Sequence, residues 1–331
     1  KARAKPSKFG LGQQGPIVSR PGRSRGQVSG RHLQSRAFVM GRIFETAHNL
    51  TSWRRLAPHV WGRPHDPTVY VVMELIVDRA LPYLDELSRV SGTKVRVTHL
   101  VTKGLALGIQ RIPQANGIVT RRRIALRQDV DIFVQVATEG GRDLSGTKLA
   151  RVDGMPLSEI ARELATRAAL VRRHADPGVE RTKSLFQRLP NAVLGLTVRG
   201  MEFLLYDLQL DLSRFGIEPD QFGSAMVSNI GNFEGFGMSF ALAPLVPISR
   251  CPIVILIGEV QRKPVVEGER IVPRSVVTLG CTFDHRMIDG AQGTAIAAVL
   301  RRVVEDPEKE LGPIASRSAA PPELATSAAA L

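Results

Sequence analysis

Cysteine is nearly absent, with two in 331 residues, Cys251 and Cys281. Both stand in apolar, strand-like runs, so buried packing explains them better than a disulfide or a metal pair. Such sparing use suits a reducing compartment. Long apolar runs are missing too. None reaches the roughly 18 to 20 residues that span a bilayer, and the longest candidate, residues 193–212, is broken by Arg199, Glu202, Asp207 and Asp211. A soluble protein without a transmembrane segment is expected. The amino end lacks the apolar core of a secretory signal, although an acid-free, Arg-rich leader also describes a mitochondrial transit segment. The expected location is therefore cytoplasmic, with the mitochondrial matrix as the alternative.

Acidic residues are the third absence: residues 1–44 contain none, against ten Lys or Arg. The net charge of +14 is mostly theirs, because the rest of the chain holds 35 basic against 31 acidic residues. Few large apolar side chains accompany this basicity. Such a segment cannot repay its own ordering entropy, so residues 1–42 are expected to be a disordered basic arm. A solvated arm is the simpler reading than a nucleic-acid site.

Composition becomes globular after this arm and stays so until a Pro/Ala/Ser-rich end, residues 312–331, also expected to be disordered. No internal repeat interrupts the middle. Residues 68–77 are rich in β-branched side chains and predict a strand. Asp78 then stands where an N-cap would, ahead of Leu81, Leu84, Leu87 and Val90 at helical spacing. Thr98 is the N-cap expected for a second helix, apolar on most faces. Residues 118–120 and 124–126 flank Arg121-Arg122-Arg123 as a hairpin with a solvated turn, followed by a strand over 131–138. Pro156 opens an amphipathic helix running to about His174. Further strands are predicted over 224–230, 252–260 and 271–283, and a last helix over 291–304. The apolar positions of 193–212 fall at helical spacing and predict core packing.

Between the last strand and the last helix lies Asp284-His285-Arg286-Met-Ile-Asp289-Gly290. A histidine at such a junction projects from a rigid scaffold, and its ordinary pKa suits general-base work near neutrality. It needs a fixed tautomer, which Asp284 or Asp289 could supply directly or by pinning the loop. His99, His59 and His65 are better read as structural or exposed.

The sequence Asp284-His-Arg-x-x-Asp-Gly290 resembles the signature of the acyltransferase core of 2-oxoacid dehydrogenase complexes, which shares its fold with chloramphenicol acetyltransferase. Met226-Val-Ser-Asn-Ile-Gly231 is similar to that family's Ser-Asn segment. Val97-Thr-His-Leu, Ile112-Pro-Gln-Ala-Asn116 and Val130-Asp-Ile-Phe-Val-Gln-Val-Ala-Thr138 resemble its earlier helix, turn and strand. The resemblance covers residues 43–311, the expected catalytic domain. It implies a two-layer α+β fold with a mixed sheet flanked by helices.

It also implies the chemistry. His285 would be the general base on the thiol of CoA or dihydrolipoamide, Ser228 the donor to the tetrahedral oxyanion, and Asp289 the residue holding the histidine loop. One such donor is typically worth about 3 to 4 kcal/mol. No metal is implied, and CoA, as acyl-CoA, is the substrate. The family's lipoyl domain has no counterpart in this sequence, so a lipoyl group would come from a separate lipoyl-bearing protein or other dehydrogenase-complex component. A homotrimer, or a larger trimer-based assembly, would place His285 of one chain against Ser228 of the next. Two departures stand out. The family's Ala-Thr-Pro-x-Gly-Leu loop reads Ala137-Thr-Glu-Gly-Gly-Arg-Asp-Leu144, and residues 181–222 are longer than the usual link. A competing expectation is a weakly catalytic, cage-forming scaffold, and a third is nucleic-acid binding through residues 1–44.

Overall fold

The computed structural model describes residues 44–47, 50–52, 55, 66–121, 123–138, 143–173, 190–215, 217–231 and 239–314. All belong to the unit Met40–Leu331. The expected basic arm, most of the Pro/Ala-rich tail, His59, His65, Arg122, His174 and residues 139–142 of the departing loop lie outside the described residues.

Six strands make the principal sheet: β2 (Thr68–Ile76), β5 (Ile132–Thr138), β6 (Asp143–Leu149), β7 (Ala225–Asn229), β8 (Ile253–Glu267) and β9 (Arg270–Asp284). Their order is β2-β9-β8-β7-β5-β6, with β7 parallel to β5 and β8 and the other pairs antiparallel. A three-stranded sheet, β1 (Phe44–Thr46), β4 (Arg123–Arg127) and β3 (Gly117–Thr120), stands beside it. This is the expected two-layer α+β fold, and the hairpin expected around Arg121 is the β3–β4 pair.

The period of two in each strand decides which side chains reach which layer. Leu75, Val134, Val227, Ile255 and Leu279 join the main core together with Leu84, Leu105, Ile160 and Leu300 from the helices. Those helices are α1 (Ala80–Ser91), α2 (Val97–Arg111), α3 (Leu157–Arg172) and α5 (Gly290–Glu305); α4 (Asn191–Glu202) and α6 (Pro307–Leu311) complete the set. Close approach of α2 to α5 depends on missing side chains. A Cβ at Gly104 would stand 2.9 Å from Leu300 Cδ1, and one at Gly108 3.1 Å from the Ile296 carbonyl. On the opposite face Phe133, Met226, Val254 and Leu256 form a smaller cluster under Ala241, Ala243 and Leu245.

Several expectations need correction. Asp78 does not cap α1, whose N-cap position is Arg79; its carboxylate accepts from the Ser275 backbone N–H at 2.9 Å and so ties α1's start to β9. Thr98 lies inside α2, which starts after Arg96. Pro156 is the N-cap of α3 rather than its first residue. The β8–β9 hairpin is longer than predicted, reaching Glu267 and Arg270, and β6 was not predicted as a strand. Core packing holds only in part for residues 193–212: the run is helical, as α4 followed by a π-turn over Phe203–Asp207, yet Val193, Leu196, Phe203, Leu208 and Leu210 are exposed, and Leu196 is 74% exposed. Tyr206 is buried against Ile118 and Ala125 with Leu205 packed on the same cluster, and Val198, Met201, Leu204 and Leu212 are half-buried.

Polar groups anchor that segment as well. Arg250 donates to Glu202 at 2.8 Å and to Asp207 at 3.2 Å. Beneath it Arg127 and Asp220 form a buried, two-pronged ion pair, at 2.7 and 2.8 Å. Removing one partner of such a pair would strand a charge without water, which is what makes it a firm anchor.

Candidate active site

The end of β9 becomes the start of α5 within five residues, and hydrogen bonds hold each of them. Asp284 is 5% exposed. Its carboxylate accepts from the Arg286 backbone at 2.9 Å and from the Arg286 guanidinium at 2.9, 3.1 and 2.6 Å. Its carbonyl accepts from Met287 and Ile288, closing a tight turn. Asp289 caps α5: its Oδ1 accepts from Ala291 and Gln292, while Gln292 Oε1 accepts from the Asp289 backbone N–H at 3.1 Å. This reciprocal box is a favourable helix start. Both aspartates therefore pin the loop.

His285 sits half-buried between them. Its backbone N–H donates to the Pro67 carbonyl at 2.8 Å. Its ring Nδ1 lies 3.0 Å from the Ile288 carbonyl oxygen. A carbonyl can only accept, so Nδ1 carries a proton, and in the neutral ring Nε2 is the nitrogen with the lone pair. The tautomer is set by the loop's own backbone, which residue identities alone could not reveal.

Ser228 occupies the other end of the sheet. Val227, before it, points into the helix-side core, and Asn229, after it, donates from Nδ2 to Thr98 Oγ1 on α2 at 2.7 Å. Alternation therefore turns Ser228 to the opposite face, where it is 9% exposed. Among the described residues no hydrogen bond engages its hydroxyl. Along the register Ser228 pairs with Leu256 and Leu256 with Gly280. His285 lies two strands across and five residues along from Ser228, roughly 19 Å by standard strand spacings. The fold brings His285 and Asp289 together; it does not bring Ser228 to them within one chain.

The cysteines are not nucleophiles. Burial pushes both thiols up to about 12, and the Cys251 thiol donates to the Ile253 carbonyl. His99 is buried and structural: its Nδ1 accepts from the Arg96 backbone N–H at 2.9 Å.

A mixed sheet backed by helices, with a tautomer-fixed histidine where its last strand meets its last helix, defines a class of two-layer α+β catalytic domains. Within that class, the model of the 2-oxoacid dehydrogenases acyltransferase (catalytic domain) matches residues 63–177 and 217–311. The chain belongs to this family. The unmatched stretch, residues 178–216, contains α4 and its π-turn.

Curated relatives agree. The chain is 24% identical over 245 residues to a probable dihydrolipoyllysine-residue succinyltransferase component of the 2-oxoglutarate dehydrogenase complex of Schizosaccharomyces pombe, covering 72% of this chain and 44% of that one. It is 24% identical over 292 residues to a dihydrolipoyllysine-residue acetyltransferase component of the pyruvate dehydrogenase complex of Zymomonas mobilis, covering 85% and 56%. The chain thus spans about half the length of these relatives. Among solved structures, the cubic core of the pyruvate dehydrogenase multienzyme complex superposes with a TM-score of 0.56 at 17% identity, covering 78% of this chain and 88% of that one. The dihydrolipoamide acetyltransferase of Azotobacter vinelandii, studied for the role of a serine, a histidine and an asparagine in its catalytic mechanism, gives 0.55 at 18%, covering 74% and 84%.

Proposed function

We propose that the protein transfers an acyl group between CoA and a dihydrolipoyl thiol. His285 Nε2 takes the proton from the attacking thiol, and the thiolate sulfur adds to the thioester carbonyl. A thiol of ordinary pKa near 8.5 is only slightly ionised at neutral pH, so an adjacent base matters. The tetrahedral oxygen accepts a hydrogen bond from Ser228 of a neighbouring subunit. Collapse expels the other thiolate, which recovers the proton from the imidazolium. No covalent enzyme intermediate is needed.

One observation carries this reading: the Nδ1 contact with the Ile288 carbonyl, which leaves Nε2 as the basic nitrogen. The separation of His285 from Ser228 within one chain supports an assembly, a trimer or a trimer-based cage, in which the two meet across subunits. In the Azotobacter enzyme an asparagine follows the studied histidine by four positions; here that place is Asp289. Either residue caps a helix well, so positioning rather than charge is the role shared.

The test is acyl exchange between acyl-CoA and dihydrolipoamide, wild type beside His285→Ala. Wild-type turnover that the variant loses supports transfer. Equal background rates in both would leave the scaffold reading in its place.

A further inference from the structure

Beside the His285 loop, between the helix-side face of the sheet and helices α2 and α5, lies a cavity of about 190 Å³. Phe283, two residues before His285, and Ile288, three after it, form part of its wall; Val71, Thr294 and Gly293 also line it, with Cys281. No charged side chain contributes to the lining. Ile288 serves twice, because its side chain lines the cavity while its carbonyl holds His285 Nδ1 at 3.0 Å.

Apolar space of this size takes apolar guests: an engineered, enclosed cavity of about 150 Å³ binds benzene. From the cavity, the catalytic loop and the acyl-transfer reading above, on which this rests, we infer that this cavity receives the acyl chain, and that the acyl group is an apolar one of roughly four to six carbons. Succinyl, in the name of one relative, would bring a carboxylate into a lining that holds no cation, a costly burial. Acetyl, in the name of another, would leave most of the volume empty. An aliphatic chain fills it and displaces no polar partner.

Gly293 gives the means of closing it. A Cβ there would lie 3.4 Å from Phe283 Cζ and 3.8 Å from Ile288 Cγ2, ordinary contact distances, so a larger side chain would grow into the cavity without moving the backbone. Thr294, on the exposed side of the lining, gives a second way to narrow it.

The test uses the full chain with acetyl-, succinyl- and hexanoyl-CoA as donors to dihydrolipoamide. Binding of CoA and of its non-transferable thioether S-hexyl-CoA is measured in parallel by calorimetry. Wild type should favour hexanoyl over acetyl and succinyl by at least tenfold in kcat/KM, and bind S-hexyl-CoA at least tenfold tighter than CoA. Gly293→Leu and Thr294→Phe should each collapse both ratios toward one while the circular dichroism spectrum stays native. Equal affinity for CoA and S-hexyl-CoA in wild type overturns the inference, as does a ratio that neither folded variant changes. Chain-dependent binding without His285-dependent turnover would sink the acyl-transfer reading while upholding the cavity as an apolar acyl site.

Discussion

Two histidines, His285 after β9 and His99 at the start of α2, differ in the direction of one hydrogen bond. At His285 the partner of Nδ1 is a carbonyl, so the ring donates and presents a lone pair on Nε2. At His99 the partner is the Arg96 N–H, so Nδ1 accepts and the ring proton is on Nε2. The surroundings differ to match: His285 is half-buried, and His99 is 7% exposed, where burial and then the neighbouring Arg96 push its pKa down to about 4. Reactivity follows from the partner each ring is given, not from the imidazole.

The widest separation should come from removing each ring in turn. His285→Ala is expected to lower turnover by about 10²- to 10⁴-fold, the usual worth of a general base, with an unchanged melting temperature; His99→Ala should do the reverse, costing stability more than kcat. A His285→Ala enzyme with wild-type turnover would erase the contrast. Next comes Ser228→Ala, expected to lower kcat by about 10²- to 10³-fold. If the two side chains meet only between subunits, mixing and reassembling the His285→Ala and Ser228→Ala proteins should restore part of the activity that neither has alone. No recovery from a mixture shown to form hybrid oligomers would count against a shared site.

Much of this contrast was legible in the sequence, and the unreadable part has a physical cause. The motif around His285 and the Ser-Asn segment were visible because residue types at fixed spacing carry them. The Ile288 carbonyl was not, since every residue offers one and only the turn decides which faces the ring. Strands facing the core announced themselves through β-branched runs. The far half of the β8–β9 hairpin did not: it projects beyond the core, so Val266 and Ile271 are 69% and 73% exposed and no burial pattern marks it. Residues 193–212 showed true helical spacing, but the periodicity could not say whether anything packs on it.

A smaller effect should sharpen the comparison through pH. The folded-state pKa of His99 is depressed to about 4, against an ordinary 6.5. Below about pH 6.5 the unfolded chain takes up a proton that the native state refuses until about pH 4. Stability is therefore full above pH 6.5 and falls through that window, by up to about 3 kcal/mol. Chemical denaturation at pH 7 and pH 4.5 measures it. His99→Gln keeps an acceptor for the Arg96 N–H, as in an ordinary capping box, and should flatten the difference. A wild-type protein equally stable at both values would mean that His99 titrates normally.

The smallest change tests what holds His285. Asp289 accepts from the first backbone N–H groups of α5 and receives Gln292 in return, so Asp289→Ala should cost about 1 kcal/mol. Asparagine offers the same acceptor geometry without the charge, so Asp289→Asn should stay within a few tenths of wild type. Activity divides the two possible roles of this aspartate. If it works by capping, kcat falls in the Ala variant and is kept in Asn, because the turn carrying Ile288, and with it the ring's acceptor, depends on where the helix begins. If instead the negative charge were what His285 needs, both variants would lose kcat alike.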